Sequence, residues 1–406
     1  MAINIKNLET RIQKKAASVT SNTPTAELGD IIEAANLATG GLAQYDSAGL
    51  LPTASSTQNI KIAYIKKDNS IRFNSGSAWN TMTPNAAVGG AVPTGPSYTV
   101  QGETYGWVIG GYPGPANYHN QIQRFAFSPS SANATDVADM NATKYSYATG
   151  KSATHGLYFG GASYPGYAQQ ATVSKFPFAS GSNAVAGTDM TNNRSNGNRT
   201  PVQGDTDYAY LVGHGIDGAY SNDIVRIVTT VDAVEADVGD MTVPRNSHAN
   251  SSSGTHGYTA GGYNWPNTPA ENDRKNVIDK FPFAATANAT DVGDITSTRN
   301  NLIGTSSTTH GYINGGDNPS QVQQNIIEKY AFASDGNSTD VGDLTSTRRN
   351  SNASSAPDKG FIASGGVSTN ANRYSDIQSY PFASDTNATD GGDLVTAAAS
   401  GGSTEN

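Results

Sequence analysis

A chain of 406 residues with a net charge of −9 and only 15% charged residues is long enough to bury a large core, and its acidic balance disfavours a partner held through phosphate contacts. Cysteine is absent, which excludes disulfides, zinc–thiolate sites and cysteine nucleophiles. Glycine contributes 44 residues, about 11% against a usual value of roughly 7%, and the Ser, Thr, Asn and Ala around it suit many short strands joined by turns.

In chain order, the opening "MAINIKNLETRIQKK" has no apolar stretch of the kind a secretory signal needs, and no run of the sequence approaches a membrane span. Residues 23–38, "TPTAELGDIIEAANLA", read as a helix with Thr23 as N-cap and Leu28, Ile31, Ile32 and Ala35 on one face. "KIAYIKKDNSIRF" reads as two strands joined by a Lys-Asp-Asn-Ser turn, with Trp79 available to cover them. One helix and one hairpin are too little to fold alone, so residues 1–83 are expected to pack on a neighbouring subunit or on another component of a larger assembly. The Gly- and Pro-rich stretch 84–95 reads as a linker.

From about residue 96 onward one phrase recurs six times: "ETYGWVIGG", "THGLYFGG", "DYAYLVGH", "THGYTAGG", "THGYINGG" and "DKGFIASGG". Five copies end in a glycine pair, namely Gly110–Gly111, Gly160–Gly161, Gly261–Gly262, Gly315–Gly316 and Gly365–Gly366, while the third carries His214 in the second place. Successive copies lie 50, 53, 48, 54 and 50 residues apart, a period typical of propeller blades. Each copy continues with an aromatic strand such as "IDKFPFAA", an acidic turn such as "ATDVGDI", and a Ser/Asn/Ala-rich segment such as "RNSHANSSS". Four strand-like pieces per copy make a four-stranded sheet, with the small polar segment at a crowded centre. Pro177, Pro282 and Pro381 interrupt the aromatic strand and place it on the outside, where a missing ladder donor costs nothing. The glycine pair lets the chain leave the second strand through backbone angles forbidden to other residues and lets the next blade come close.

This order of small polar strand, apolar strand ending in Gly-Gly, aromatic strand and closing strand resembles the kelch repeat over roughly residues 96–395. The resemblance implies a mainly β fold, a six-bladed kelch-like β-propeller over 96–406, preceded by a small α+β attachment segment. The fourth-strand Trp usual in kelch repeats is replaced here by "DVGDL"-type phrases. The phrasing "NATDVGDL…THGY.GG" is similar to propellers of bacteriophage structural proteins. "GLAQYDSAGLLP" and "IAYIKKDNSIRFNSGSAWNTM" resemble segments of phage fibre and virion attachment proteins. The resemblance implies a location on the phage particle, as tail fibre or as head or neck appendage.

Three residue series could carry chemistry. His155, His256 and His310 recur just before the glycine-bearing strand and read as turn residues rather than metal ligands, because equivalent positions are spread around a ring. Lys144, Arg194, Arg245, Arg299 and Arg348 follow the acidic turns at a fixed distance, and Ala398 breaks the series. They are read either as partners of Asp139, Asp189, Asp240, Asp294 and Asp343, or as a basic ring for an anionic sugar. The paired aspartates of the acidic turns fit Asx turns better than calcium loops.

Loops between second and third strands carry Tyr112, Tyr118, Tyr164, Tyr167, Tyr220, Tyr263, Trp265 and Tyr374. By propeller topology they share a face with Arg194, Arg245, Arg299 and Arg348. Rings with amides and hydroxyls suit a glycan surface, although rings also anchor loops. The expectation is a non-enzymatic virion protein with no cofactor, metal, nucleic-acid partner or membrane insertion. It assembles with other virion proteins and with itself through residues 1–83, and displays a propeller for host-surface glycans. The alternatives are a purely architectural decoration protein, or an epimerase or mutarotase, which would need a concentrated acid/base pair at the channel mouth.

Overall fold

The structure, a computed structural model, describes residues 101–406 apart from 115–116, 167, 195–201, 204–207, 214, 217–218, 230–232, 265–272 and 368–372, together with four short strands before residue 101. Two units divide the chain, Met1–Ser97 and Tyr98–Asn406. In the first, Ile62–Ile65 and Ser70–Asn74 form the expected antiparallel pair, and Trp79–Thr81 and Ala43–Tyr45 extend it to four strands, the last in parallel. The helix read over 23–38 and the linker over 84–95 lie outside the described residues.

The second unit is a six-bladed β-propeller. In blade 5, Ile303–Ser306 is innermost, followed outward by His310–Asn314, Ile326–Ala331 and Thr339–Asp343, each antiparallel to the last. Blades 2, 3, 4 and 6 repeat that order. Blade 1 is composite: Tyr105–Gly114, Asn117–Ala126 and Thr135–Asp139 come from the start of the unit, and its innermost strand, Gly402–Glu405, comes from the end. The C-terminal strand thus closes the ring.

Small hydroxyl side chains hold the centre because inner strands crowd one another and still need partners for their backbone donors. Ser252 N–H donates to Ser306 Oγ at 2.9 Å, Ser306 N–H to Ser355 Oγ at 3.0 Å, and Ala353 N–H to Ser403 Oγ at 3.0 Å. The chain comes in beneath these strands, where Gly102 N–H donates to Ser355 O at 2.8 Å and Gln101 Nε2 to Ser306 O at 3.0 Å.

Between blades the core is aromatic. A second-strand ring stacks on the third-strand end of the next blade: Tyr210 on Phe283 at 5.0 Å, Tyr258 on Phe332 at 4.7 Å, Tyr312 on Phe382 at 4.8 Å and Phe361 on Phe127 at 4.9 Å. A blade therefore completes the burial of its rings against a neighbour, the physics of a repeat array. The glycine inside "THGY" makes room within a blade, since a Cβ at Gly156 would stand 2.4 Å from Phe176 Cζ and one at Gly311 the same distance from Tyr330 Cζ. Blade 3 changes both partners, setting Ala209 opposite Ile227.

The glycine pair does leave the second strand through left-handed backbone, with φ of +61° at Gly315 and +90° at Gly316. A Cβ at Gly315 would also lie 2.6 Å from Arg348 O, on the connection into the next blade. The sixth copy is offset by one residue: Ser364 (φ +59°) and Gly365 (φ +105°) take the left-handed angles, and Gly366 takes the bridging place held by Asp317 in blade 5.

Two expectations change. The acidic phrases are the fourth, outermost strands, not turns, as at Thr290–Asp294 and Thr339–Asp343. The aromatic strand is third, and its prolines are tolerated because they are its last residues. The fourth strand of blade 4 begins at Thr290 opposite Lys280, so Pro282 has no ladder partner on that side.

Candidate ligand face

One face of the ring carries the second-to-third-strand loops and the connections from each fourth strand to the next inner strand. The other carries the turns between first and second strands, where His155, His256 and His310 sit. Each histidine Nδ1 lies 2.8 Å from the hydroxyl of the preceding threonine, and Ser152, Ser253 and Ser307 Oγ accept the backbone N–H of their blade's histidine. These are hairpin turns, and no cluster able to hold a metal ion occurs among the described residues.

The arginine series is internal rather than a ring open to ligand. Arg245, Arg299 and Arg348 are fully buried. Arg245 Nη2 lies 3.1 Å from Asp279 Oδ2, Arg299 Nη2 binds Glu328 Oε1, and Arg348 Nη2 lies 2.8 Å from Asp376 Oδ2. Burial pulls the Arg245 and Arg299 guanidinium groups below their ordinary value, opposed by those carboxylates. Arg299 Nη1 also donates to Gly315 O at 2.7 Å and Arg348 Nη1 to Ser364 O at 2.9 Å, so each arginine ties a blade connection to the end of the second strand.

The pairing with Asp240, Asp294 and Asp343 is therefore corrected: the acids sit on the third strand, in the blade that follows. Reading the repeat column by column carries this signal, because Asp279 and Glu328 align with Gln123, Ser174 and Gln378. Where Ala398 replaces arginine, the column holds neutral Gln123, which bridges Thr396 through Nε2 to its carbonyl at 2.8 Å and Oε1 from its N–H at 3.0 Å. Lys144 is buried against the Tyr158 ring, and burial lowers its ammonium. Arg194 ends the strand Val185–Arg194.

The fourth-strand aspartates clamp the outer rim. Asp139, Asp240, Asp294, Asp343 and Asp393 each donate backbone N–H to the side-chain oxygen of an asparagine in the next blade, Asn183, Asn288, Asn337, Asn387 and Asn133, at 2.9–3.1 Å. Four of those asparagines head Asn-X-Thr or Asn-X-Ser sequences, so the pattern serves the seam between blades. Asp237, Asp291 and Asp340 accept from the glycine two residues on, the expected Asx turns.

Over blades 6, 1 and 2 the face of the second-to-third-strand loops gathers rings. Tyr118 is the hub, 4.8 Å from Tyr112, 4.8 Å from Tyr145 and 4.5 Å from Tyr164, and the Arg373 guanidinium lies 4.9 Å above the Tyr112 ring. All five side chains are half-buried. Burial lowers the Arg373 guanidinium, with Arg349 adding to the shift and Tyr112 opposing it. Beside them Arg349 Nη1 lies 3.0 Å from the buried Asp317, which also accepts from Asn301 and Gln323. Tyr220 and Tyr263 form a separate pair at 6.3 Å, and Tyr374 lies under the Arg348 guanidinium at 4.7 Å. Tyr167 and Trp265 lie outside the described residues. Tyr145, Arg349 and Arg373 were not singled out from the sequence, because the residue type at their repeat places changes from blade to blade: Asn246 and Asn300 stand where Tyr145 and Arg349 do, and Gln323 stands where Arg373 does. No protein-family model and no curated protein matches the chain.

Proposed function

We propose that the protein is a non-enzymatic structural component of a phage particle, a tail fibre or a head or neck appendage, attached and oligomerised through residues 1–83. In this reading the propeller presents the tyrosine group around Tyr118 to host-surface glycans. The observation that carries it is placement: Tyr112, Tyr118, Tyr145 and Tyr164 lie on the face opposite the one where Gln101 and Gly102 meet the inner strands. Phenol rings match saccharides in kind, since sugar C–H faces stack on rings and sugar edges hydrogen-bond. Weak single sites then gain from assembly into oligomers. The repeat's own charges are engaged in buried ion pairs, which supports a scaffold over an acid/base enzyme.

A second reading, purely architectural decoration, is favoured by the rings' tilted packing against one another and under Arg373. A glycan array probed with the full chain, and with Tyr118→Ala and Tyr164→Ala variants, separates the two. The receptor reading expects selective binding lost in both variants, whereas no binding by an oligomeric, folded wild type supports decoration.

A further inference from the structure

Blade 1 poses a problem the other blades do not have. In blades 2, 4, 5 and 6 a tight turn joins the innermost strand to its neighbour, and the turn fixes the register. Glu405 has no such connection to Gly106, its partner across the sheet and 299 residues away in sequence. A slip of one residue would turn every side chain of Gly402–Glu405 to the wrong face.

The slot specifies its strand through three features. Blades 4, 5 and 6 end their inner strands in Ser252, Ser306 and Ser355. At that level blades 1 and 2 instead carry Glu405 and Lys151, 3.3 Å apart with each side chain 5% exposed. Burial pushes the Glu405 carboxyl up and the Lys151 ammonium down, and their mutual attraction opposes both shifts. At the other end a Cβ on Gly402 would lie 2.4 Å from Thr149 Cγ2 and 2.6 Å from Tyr147 Cε2, so no side chain fits there. Beyond the strand, Asn406 Oδ1 accepts from Trp107 Nε1 at 2.7 Å and Asn406 O from Thr104 N–H at 2.7 Å. Thr404 Oγ1 and Ser354 Oγ complete the seams, donating to Gly150 O at 3.4 Å and Thr404 O at 3.1 Å.

We infer that the innermost slot of blade 1 is a strand-binding site selective for a Gly-Ser-Thr-Glu-Asn segment, with the Lys151–Glu405 pair as the clasp that sets its register. A strand in any other register leaves Lys151 buried without a carboxylate, and breaking a buried pair from one side is strongly destabilising. The ligand is a short peptide strand added by main-chain pairing and chosen by its side chains. In the native fold the chain's own C-terminus fills the site.

Two experiments test this. In the full chain, Lys151→Glu and Glu405→Lys are each expected to lower the melting temperature by roughly 5 °C or more, and the double variant to regain most of that loss. A double variant as unstable as the two losses added together would overturn the clasp. In a chain lacking residues 401–406, the synthetic peptide GGSTEN is expected to bind at least tenfold tighter than GGSTKN, with the preference reversed by Lys151→Glu. Equal binding of both peptides would overturn the selectivity. Should the shortened chain fail to fold, the charge exchange in the full chain still decides the clasp.

Discussion

Blades 4 to 6 and the composite blade 1 use the same sheet for different ends. In blades 4 to 6 the pattern repeats: a buried arginine reaches a third-strand carboxylate, Asp279 and Glu328 in one column and Asp376 two residues before it, and a serine ends each inner strand. At blade 1 the arginine becomes Ala398, the acid becomes Gln123, and the charges reappear at the centre as Lys151 and Glu405. The tyrosine group with Arg373 also spans the seams on either side of blade 1. Regular blades thus spend buried charge on tying connections to second strands, whereas the blade built from both ends of the unit places it where register must be chosen.

The sharpest way to break this comparison is to make one side resemble the other. Arg299→Met leaves the Glu328 carboxylate buried with only Thr296 and Ser338 as donors, and should cost about 3–5 kcal/mol in urea unfolding. Arg299→Ala combined with Glu328→Gln copies the blade 1 solution and should cost clearly less. An equal loss would mean that the charge itself matters little.

Acid should act next most strongly. His248 is 1% exposed, with Nε2 3.2 Å from Val212 O, and burial, followed by the nearby Arg245, brings its imidazole down to about 3. In the unfolded chain it titrates near 6.5, so the unfolded state takes up the proton first as pH falls. Its contribution is complete above about pH 6.5 and is lost progressively towards pH 3, on the order of 5 kcal/mol at most. His119, His256 and His310 are also lowered, chiefly by burial, and act in the same sense. Unfolding midpoints measured between pH 4 and 7 should therefore rise with pH, with a shallower slope in His248→Gln.

Smaller effects test the repeat's packing. Gly311→Ala forces a Cβ into the Tyr330 ring and should cost about 1–3 kcal/mol, while adding Tyr330→Ile, the pairing of blade 3, should recover part of it. Asn337→Ala removes one rim bond to Asp294 and should cost about 0.5–1.5 kcal/mol, the least of the four in thermal unfolding.

Much of the scaffold was legible because the repeat copies constrain one another: blade number, strand content and the left-handed glycine exits all follow from columns that recur at a period of about 50 residues. What the columns left open was partnership across seams. Arg299 lies five residues from Asp294 in sequence but pairs with Glu328 of the next blade, a contact that only the ring geometry brings about. The place of "DVGD" was misread because Asp and Gly signal turns locally, whereas here they form an outer edge strand held by the neighbouring blade's asparagine. The tyrosine group was half visible: Tyr112, Tyr118 and Tyr164 stood out as loop aromatics, but Arg373 and Tyr145 join them only through the fold.

Native-state amide hydrogen exchange at the C-terminus tests the account most directly. Residues Ser403, Thr404 and Glu405, held as the innermost strand of blade 1, should exchange as slowly as Val108 in the neighbouring strand and Ile313 in the second strand of blade 5. Exchange of these three amides at the rate of an unstructured tail would contradict a ring closed by its last strand.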